Sequence, residues 1–170
     1  MRISTFIFRI VTSWFSILIG NLALLFLVVL AMYASSLTPT TDILPDLQSD
    51  TLTTIIIAWG IILESRESFL SGGLAARKLT KHIDEFISYE CACCGTLLVI
   101  FGMLIELATY FDVDSRMTLF PAWADVVILI GEWTMLVLVC IEVAYSCFNI
   151  VRVRIKGEEY AAGIMSAISH

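Results

Sequence analysis

The chain has 170 residues, of which 59% are hydrophobic and only 15% charged, with mean hydropathy +0.91. A soluble domain carries about a quarter charged residues, so this chain lacks the polar surface to cover itself in water and its solvent must be largely lipid. The length allows one domain; a net charge of −6 and the lack of any RNA-binding signature argue against nucleic acid as a partner.

A helix needs ~20 predominantly apolar residues to cross the ~30 Å hydrocarbon layer. The first stretch to qualify is 10–33. Its apolar run is far longer than the core of a secretory signal, and AMYASS lacks a clean cleavage site, so a retained span is expected. A short acidic connection containing Pro39 and Pro45 follows. The second segment, 47–70, is marginal: its uninterrupted apolar core, IIIAWGIIL, has nine residues, with threonines before it and Glu64, Arg66 and Glu67 after. Gly72 and Gly73 stop it. Over 74–87, Ala75, Leu79, Ile83, Phe86 and Ile87 recur at helical spacing opposite Arg77, Lys78 and Lys81. That pattern predicts a short amphipathic helix in the inner interface, its three cations contacting the lipid surface. The third span is 89–111 and the fourth 123–151, with Pro121 suited to a helix start, and a tail occupies 152–170.

The placement of basic residues decides whether the marginal segment spans. Lys and Arg gather on the cytoplasmic side of short loops. With four spans and a cytoplasmic N-terminus, Arg2, Arg9, Arg66, Arg77, Lys78, Lys81, Arg152, Arg154 and Lys156 share one side, and only Arg116 lies opposite. Three spans would split these charges between faces. The expected fold is therefore an all-α integral membrane protein, a four-transmembrane-helix bundle with both termini cytoplasmic, in a bacterial inner (plasma) membrane.

Carboxylates occur inside these spans, whose apolar cores contain no Lys, Arg or His. At 1.5 Å per residue, Glu106 lies ~9 Å and Glu132 ~8 Å outward of the span centres, and Glu142 ~8 Å inward. Glu64 and Glu90 fall nearer the inner headgroups, and Asn21 near the middle of the first span. Helical spacing aligns Cys91, Gly95, Leu98, Gly102 and Glu106 on the third helix, and Gly60 with Glu64 on the second. On the fourth it aligns Glu132 with Met135 and Val139, and Glu142 with Ser146 and Asn149. Small residues on such stripes let helices approach closely in lipid. An unpaired ionised carboxylate in hydrocarbon costs about 3 kcal/mol on insertion scales. Each Glu must then hold a proton, bind an external cation or meet a partner's basic group, and Glu106 and Glu132 are expected to share a proton.

Cys91 and Cys94 form C-x-x-C at the inner end of the third span, with Cys147 at a comparable level on the fourth. With Glu90 or Glu142 they offer a zinc or copper(I) ligand set, against the alternatives of helix packing or lipid attachment. Trp14, Trp59, Trp123 and Trp133 read as an interfacial aromatic belt. Nucleophile-elbow, Walker A, dinucleotide-binding and H-E-x-x-H motifs are absent. No enzymatic activity and no cofactor are expected. The leading expectation is a proton or cation pathway, acting as a homo-oligomer or with other membrane subunits. Its stations would be Glu106, Glu132, Asn21, Glu142, Glu64 and Glu90. One alternative is an accessory or assembly subunit whose glutamates pair with a partner's basic residues; a second is metal handling by Cys91, Cys94 and Cys147.

Overall fold

The computed structural model describes residues 13–37, 44–66, 82–115 and 123–168, with side chains over 13–34, 50–66, 82–110 and 126–167. Five helices occur among the described residues, and no strand: α1 (Trp14–Leu37), α2 (Leu44–Glu64), α3 (His82–Ser115), α4 (Trp123–Lys156) and α5 (Glu158–Ile168). Three stretches, Trp14–Ala34, His82–Tyr110 and Val126–Lys156, are long and apolar enough to cross a membrane. α2 has 21 residues, but its first half carries Asp46, Gln48, Ser49, Asp50 and threonines.

Local signals fix the helix ends. Ser13 Oγ accepts the backbone N–H of Ser16 at 3.2 Å, satisfying one of the orphan donors at the start of α1. α3 opens with Asp84 and Glu85 and α4 closes with Arg154 and Lys156, charges that oppose the helix dipole at each end. Gly157 adopts φ +85° and donates its N–H to Val153 O at 2.9 Å. This left-handed cap is cheap only for glycine, and it ends α4 and turns the chain into α5.

α2 packs on α3, α3 on α4 and α4 on α1, and a smaller contact between α1 and α2 closes the ring. Three polar contacts place the start of α1, the end of α2, the start of α3 and the end of α4 together. The Arg154 guanidinium lies 5.0 Å from the Trp14 ring and its Nη2 is 3.5 Å from Asp84 Oδ1. Arg66 Nη1 donates to Ser88 Oγ. Successive long helices therefore run antiparallel, as in an up-down-up-down bundle.

The closest approach is between α2 and α3. A Cβ added at Gly60 would lie 2.7 Å from Gly95 O, and one at Gly95 only 2.5 Å from Gly60 O and 2.7 Å from Glu64 N. The two backbones touch with no side chain between them. Further along, Gly102 leaves room for Ile57. The stripe Cys91–Gly95–Leu98–Gly102 is buried as its spacing predicts.

The boundaries differ from the sequence expectation in two places. Residues 82–87, expected in a separate interfacial helix, form the first turns of α3; the remainder of that stretch, with Arg77, Lys78 and Lys81, lies outside the described residues. Asp84 and Glu85 make a better helix start than residue 89 does. The expected tail from 152 is helical up to Lys156, and α5 then folds back so that Ala161 packs with Phe86 and Val153 in a small second core.

The outer surface is apolar, with Phe26, Met103, Ile130 and Ile141 among many large side chains left exposed. In water such a surface would drive aggregation; in lipid it costs nothing. Exposed hydroxyls on these faces bond within their own helix. Thr96 Oγ1 donates to Ala92 O at 2.9 Å and Thr134 Oγ1 to Ile130 O at 2.6 Å, which suits a solvent that offers no partners. Gly95→Val is expected to destabilise the fold by about 1–3 kcal/mol through overpacking, read as a lower unfolding midpoint in detergent. Gly131→Ala, with nothing within 4 Å of its new methyl, should leave the midpoint unchanged or raised.

Candidate functional site

The inward stripe of α1 is Ile17, Asn21, Leu24 and Val28, all buried. A wholly buried amide among aliphatic residues needs partners. Trp59 Nε1–H donates to Asn21 Oδ1 at 2.8 Å. Gly20 permits this contact: a Cβ there would overlap the Trp59 indole. Among the described residues Asn21 Nδ2 has no hydrogen-bond partner, and the Cys147 thiol on α4 lies beside it. Ser146 Oγ likewise lacks a hydrogen-bond partner among the described residues, with the Cys94 thiol of α3 beside it.

α4 contributes most of the remaining polar groups. Its buried stripe runs Val139, Val143, Ser146 and Ile150, flanked by half-buried Glu142 and by Asn149. Asn149 Nδ2 donates to Glu90 Oε1 at 3.1 Å. Glu142 is close enough to act electrostatically on both Glu90 and Cys94. Asn21, Trp59, Glu90, Cys94, Glu142, Ser146, Cys147 and Asn149 thus share the half of the bundle nearer its charged end. Arg66, 6% exposed, closes this layer through Ser88 and acts electrostatically on Cys91.

Beyond the layer the interior is filled by Val28, Ile56, Leu98, Ile105 and Val139, all essentially inaccessible. The other predicted acids lie apart from it. Glu132, half-buried on α4, accepts a hydrogen bond from Thr109 Oγ1 at 3.1 Å. Glu106 is exposed on α3 between exposed Met103, Leu107 and Tyr110. The buried stripe of α3 continues from Gly102 to Ile105, not to Glu106. A step of about 100° per residue puts these two on opposite sides of the stripe's axis, and packing takes the isoleucine. Glu64 is exposed at the end of α2.

Sequence reasoning placed Asn21 near mid-span, Glu142 and Cys94 inward of it, and Glu90 and Cys147 at the inner end; the structure gathers these residues in one half of the bundle. Two participants were assigned elsewhere. Trp59, read as part of the interfacial belt, is an interior donor, and Arg66, placed by the charge rule on the cytoplasmic side, is buried against α3. Gly20 beside Asn21 was the usable signal for the first, since a glycine next to a mid-span amide leaves space for a large opposing ring. Cys94 lies near both Cys91 and Cys147; among the described residues, no group of three His, Cys, Asp or Glu side chains is placed to hold a metal ion.

Trp59→Phe removes the donor to a buried carbonyl oxygen, and the expected loss is about 1–2 kcal/mol. Thermal unfolding of the full chain in detergent checks it, and Trp59→Phe combined with Asn21→Leu should recover part of the loss. Compared with protein-family models, curated proteins and solved structures, the chain matches none.

Proposed function

We propose that the protein crosses the membrane four times with both termini cytoplasmic, and that within an oligomer or a larger membrane complex its interior carboxylates carry protons or a cation. The observation that carries this reading is the pair Glu90 and Glu142, two carboxylates in the same half of the bundle, the second acting electrostatically on the first, inside helices apolar enough to span lipid. Carboxylates so placed favour sharing a proton or binding a cation over both standing ionised and alone. Asn149 holds Glu90 from one side, and Ser146, Cys147 and Asn21 extend the polar layer toward α1.

Four spans follow in this reading from α2 lying antiparallel along α3 through Gly60 and Gly95. The orientation follows from charge. Arg66, Arg152, Arg154 and Lys156 belong to the bundle end where α2 finishes, α3 begins and α4 finishes, and basic residues favour the cytoplasmic face. A route through one chain stops at the plug of Leu98, Ile105 and Val139. A neighbouring subunit, or an opening of the bundle, must supply the remainder. In proteoliposomes, Glu90→Gln and Glu142→Gln should each reduce proton or cation flux by at least about tenfold, the scale expected for losing a proton-transfer group, while Glu64→Gln changes it little. Undiminished flux in both variants would sink the proposal.

A second reading, an accessory subunit whose glutamates meet a partner's basic residues, draws on Glu106. A carboxylate exposed on an apolar helix has no reason to face lipid, and a Lys or Arg of a neighbouring chain would satisfy it. In that case Glu106→Gln should dissociate a complex that the wild-type chain keeps in mild detergent, as size-exclusion chromatography would show. A wild-type chain that runs alone contradicts it.

A further inference from the structure

We propose that Arg152, Lys156 and Tyr160 form a binding site for the phosphate of an anionic membrane lipid, whose acyl chains lie along the exposed face of α4. The inference rests on α4 crossing the membrane and is independent of whether the interior carboxylates carry ions.

Steps of three and four residues align Tyr145, Phe148, Arg152 and Lys156 on one face of α4, and all four are exposed. The Arg152 guanidinium carbon lies 5.9 Å from the Phe148 ring centre and 5.4 Å from that of Tyr160 on α5, and Lys156 Nζ lies 4.4 Å from the Tyr160 ring. Contact with aromatic rings engages the cation without a carboxylate, and a guanidinium's planar fork of N–H groups suits a phosphate. Among the described residues the other cations at this end are already engaged. Arg154 meets Asp84 and Trp14, and Arg66 meets Ser88. Among the described residues, no carboxylate lies within ion-pair distance of Arg152 or Lys156. α5 fixes the site, because Gly157 turns the chain and Ala161 anchors the helix against Phe86 and Val153.

The choice of a lipid over a soluble phosphate comes from what surrounds the cations. Toward the membrane the same face continues through exposed Phe148, Tyr145 and Ile141, a surface for acyl chains. On the aqueous side Glu158 and Glu159 open α5 and repel an anion arriving from solution. Positive charge, apolar surface below it and negative charge beyond it match a headgroup approached from the bilayer.

Native mass spectrometry of the full chain in mild detergent, titrated with phosphatidylglycerol or with phosphatidylcholine of the same acyl chains, tests the site. Phosphatidylglycerol should bind at least about tenfold more tightly, and Arg152→Gln with Lys156→Gln should remove roughly tenfold of that affinity, leaving phosphatidylcholine binding unchanged. Lys156→Arg should retain the preference. Should the double variant fail to fold, Lys156→Gln against Lys156→Arg makes the same comparison. Equal retention of phosphatidylglycerol by wild type and Gln variants overturns the proposal. Displacement of the lipid by millimolar inorganic phosphate overturns it also, in favour of a soluble anion.

Discussion

The contact between the backbones of Gly60 and Gly95 governs the rest of the bundle. Lipid supplies no hydrophobic force between helices, so association depends on van der Waals packing and on interhelical hydrogen bonds. With Gly60 seated on α3, the next residue back is rotated by about 100°, and this carries the Trp59 indole toward α1. There Gly20 makes room and Asn21 accepts its N–H. The same rotation sets Leu63 into the core and, one turn on, Arg66 over Ser88. A wider α2–α3 spacing would strand both polar groups.

Four interior side-chain hydrogen bonds each join two different helices. Asn21 and Trp59 link α1 to α2, Arg66 and Ser88 link α2 to α3, Asn149 and Glu90 link α4 to α3, and Thr109 and Glu132 repeat that link farther out. The lipid-facing threonines, by contrast, bond within their own turn. Apolar packing tolerates axial slippage between helices, whereas these pairs each accept one register. Polar residues in this protein therefore fix the alignment of a fold whose cohesion comes from small-residue contacts.

Much of this was legible in the sequence. The helical class, three of the span segments and the buried stripe through Cys91, Gly95, Leu98 and Gly102 all follow from hydropathy and the 3.6-residue period. Counting 1.5 Å rises gave the order of depth, with Asn21 near mid-span, Glu142 and Cys94 inward of it and Glu90 nearer the inner headgroups, but not which of them meet. Rotation was less legible. Counting places Glu106 and Glu132 at one depth, but the face each occupies depends on where the neighbouring helix runs, and Ile105 takes the inward position that four-residue spacing gave to Glu106. Partners were the least legible. Trp59 and Arg66 were assigned by residue type to an interface and to the cytoplasmic side, and only packing shows that each reaches a buried acceptor. The start of α3 was missed because an amphipathic first turn resembles a surface helix when the helix it continues into cannot be seen.

α4 sharpens the question of partners. It provides Glu132, Glu142, Ser146 and Asn149, yet only 11% of its most apolar window is buried, against 33% for α3. In a soluble protein that bare surface would itself announce an interface. In a membrane it does not, because acyl chains cover isoleucine and valine as well as another protein would. Only groups that lipid serves badly can mark a neighbouring subunit. On the described surface within the spans the clearest of these is Glu106, on the adjacent helix and on the outward side of the bundle. A carboxylate turned outward into hydrocarbon is costly unless it holds a proton or meets a polar group, and a neighbouring chain is one source of that group.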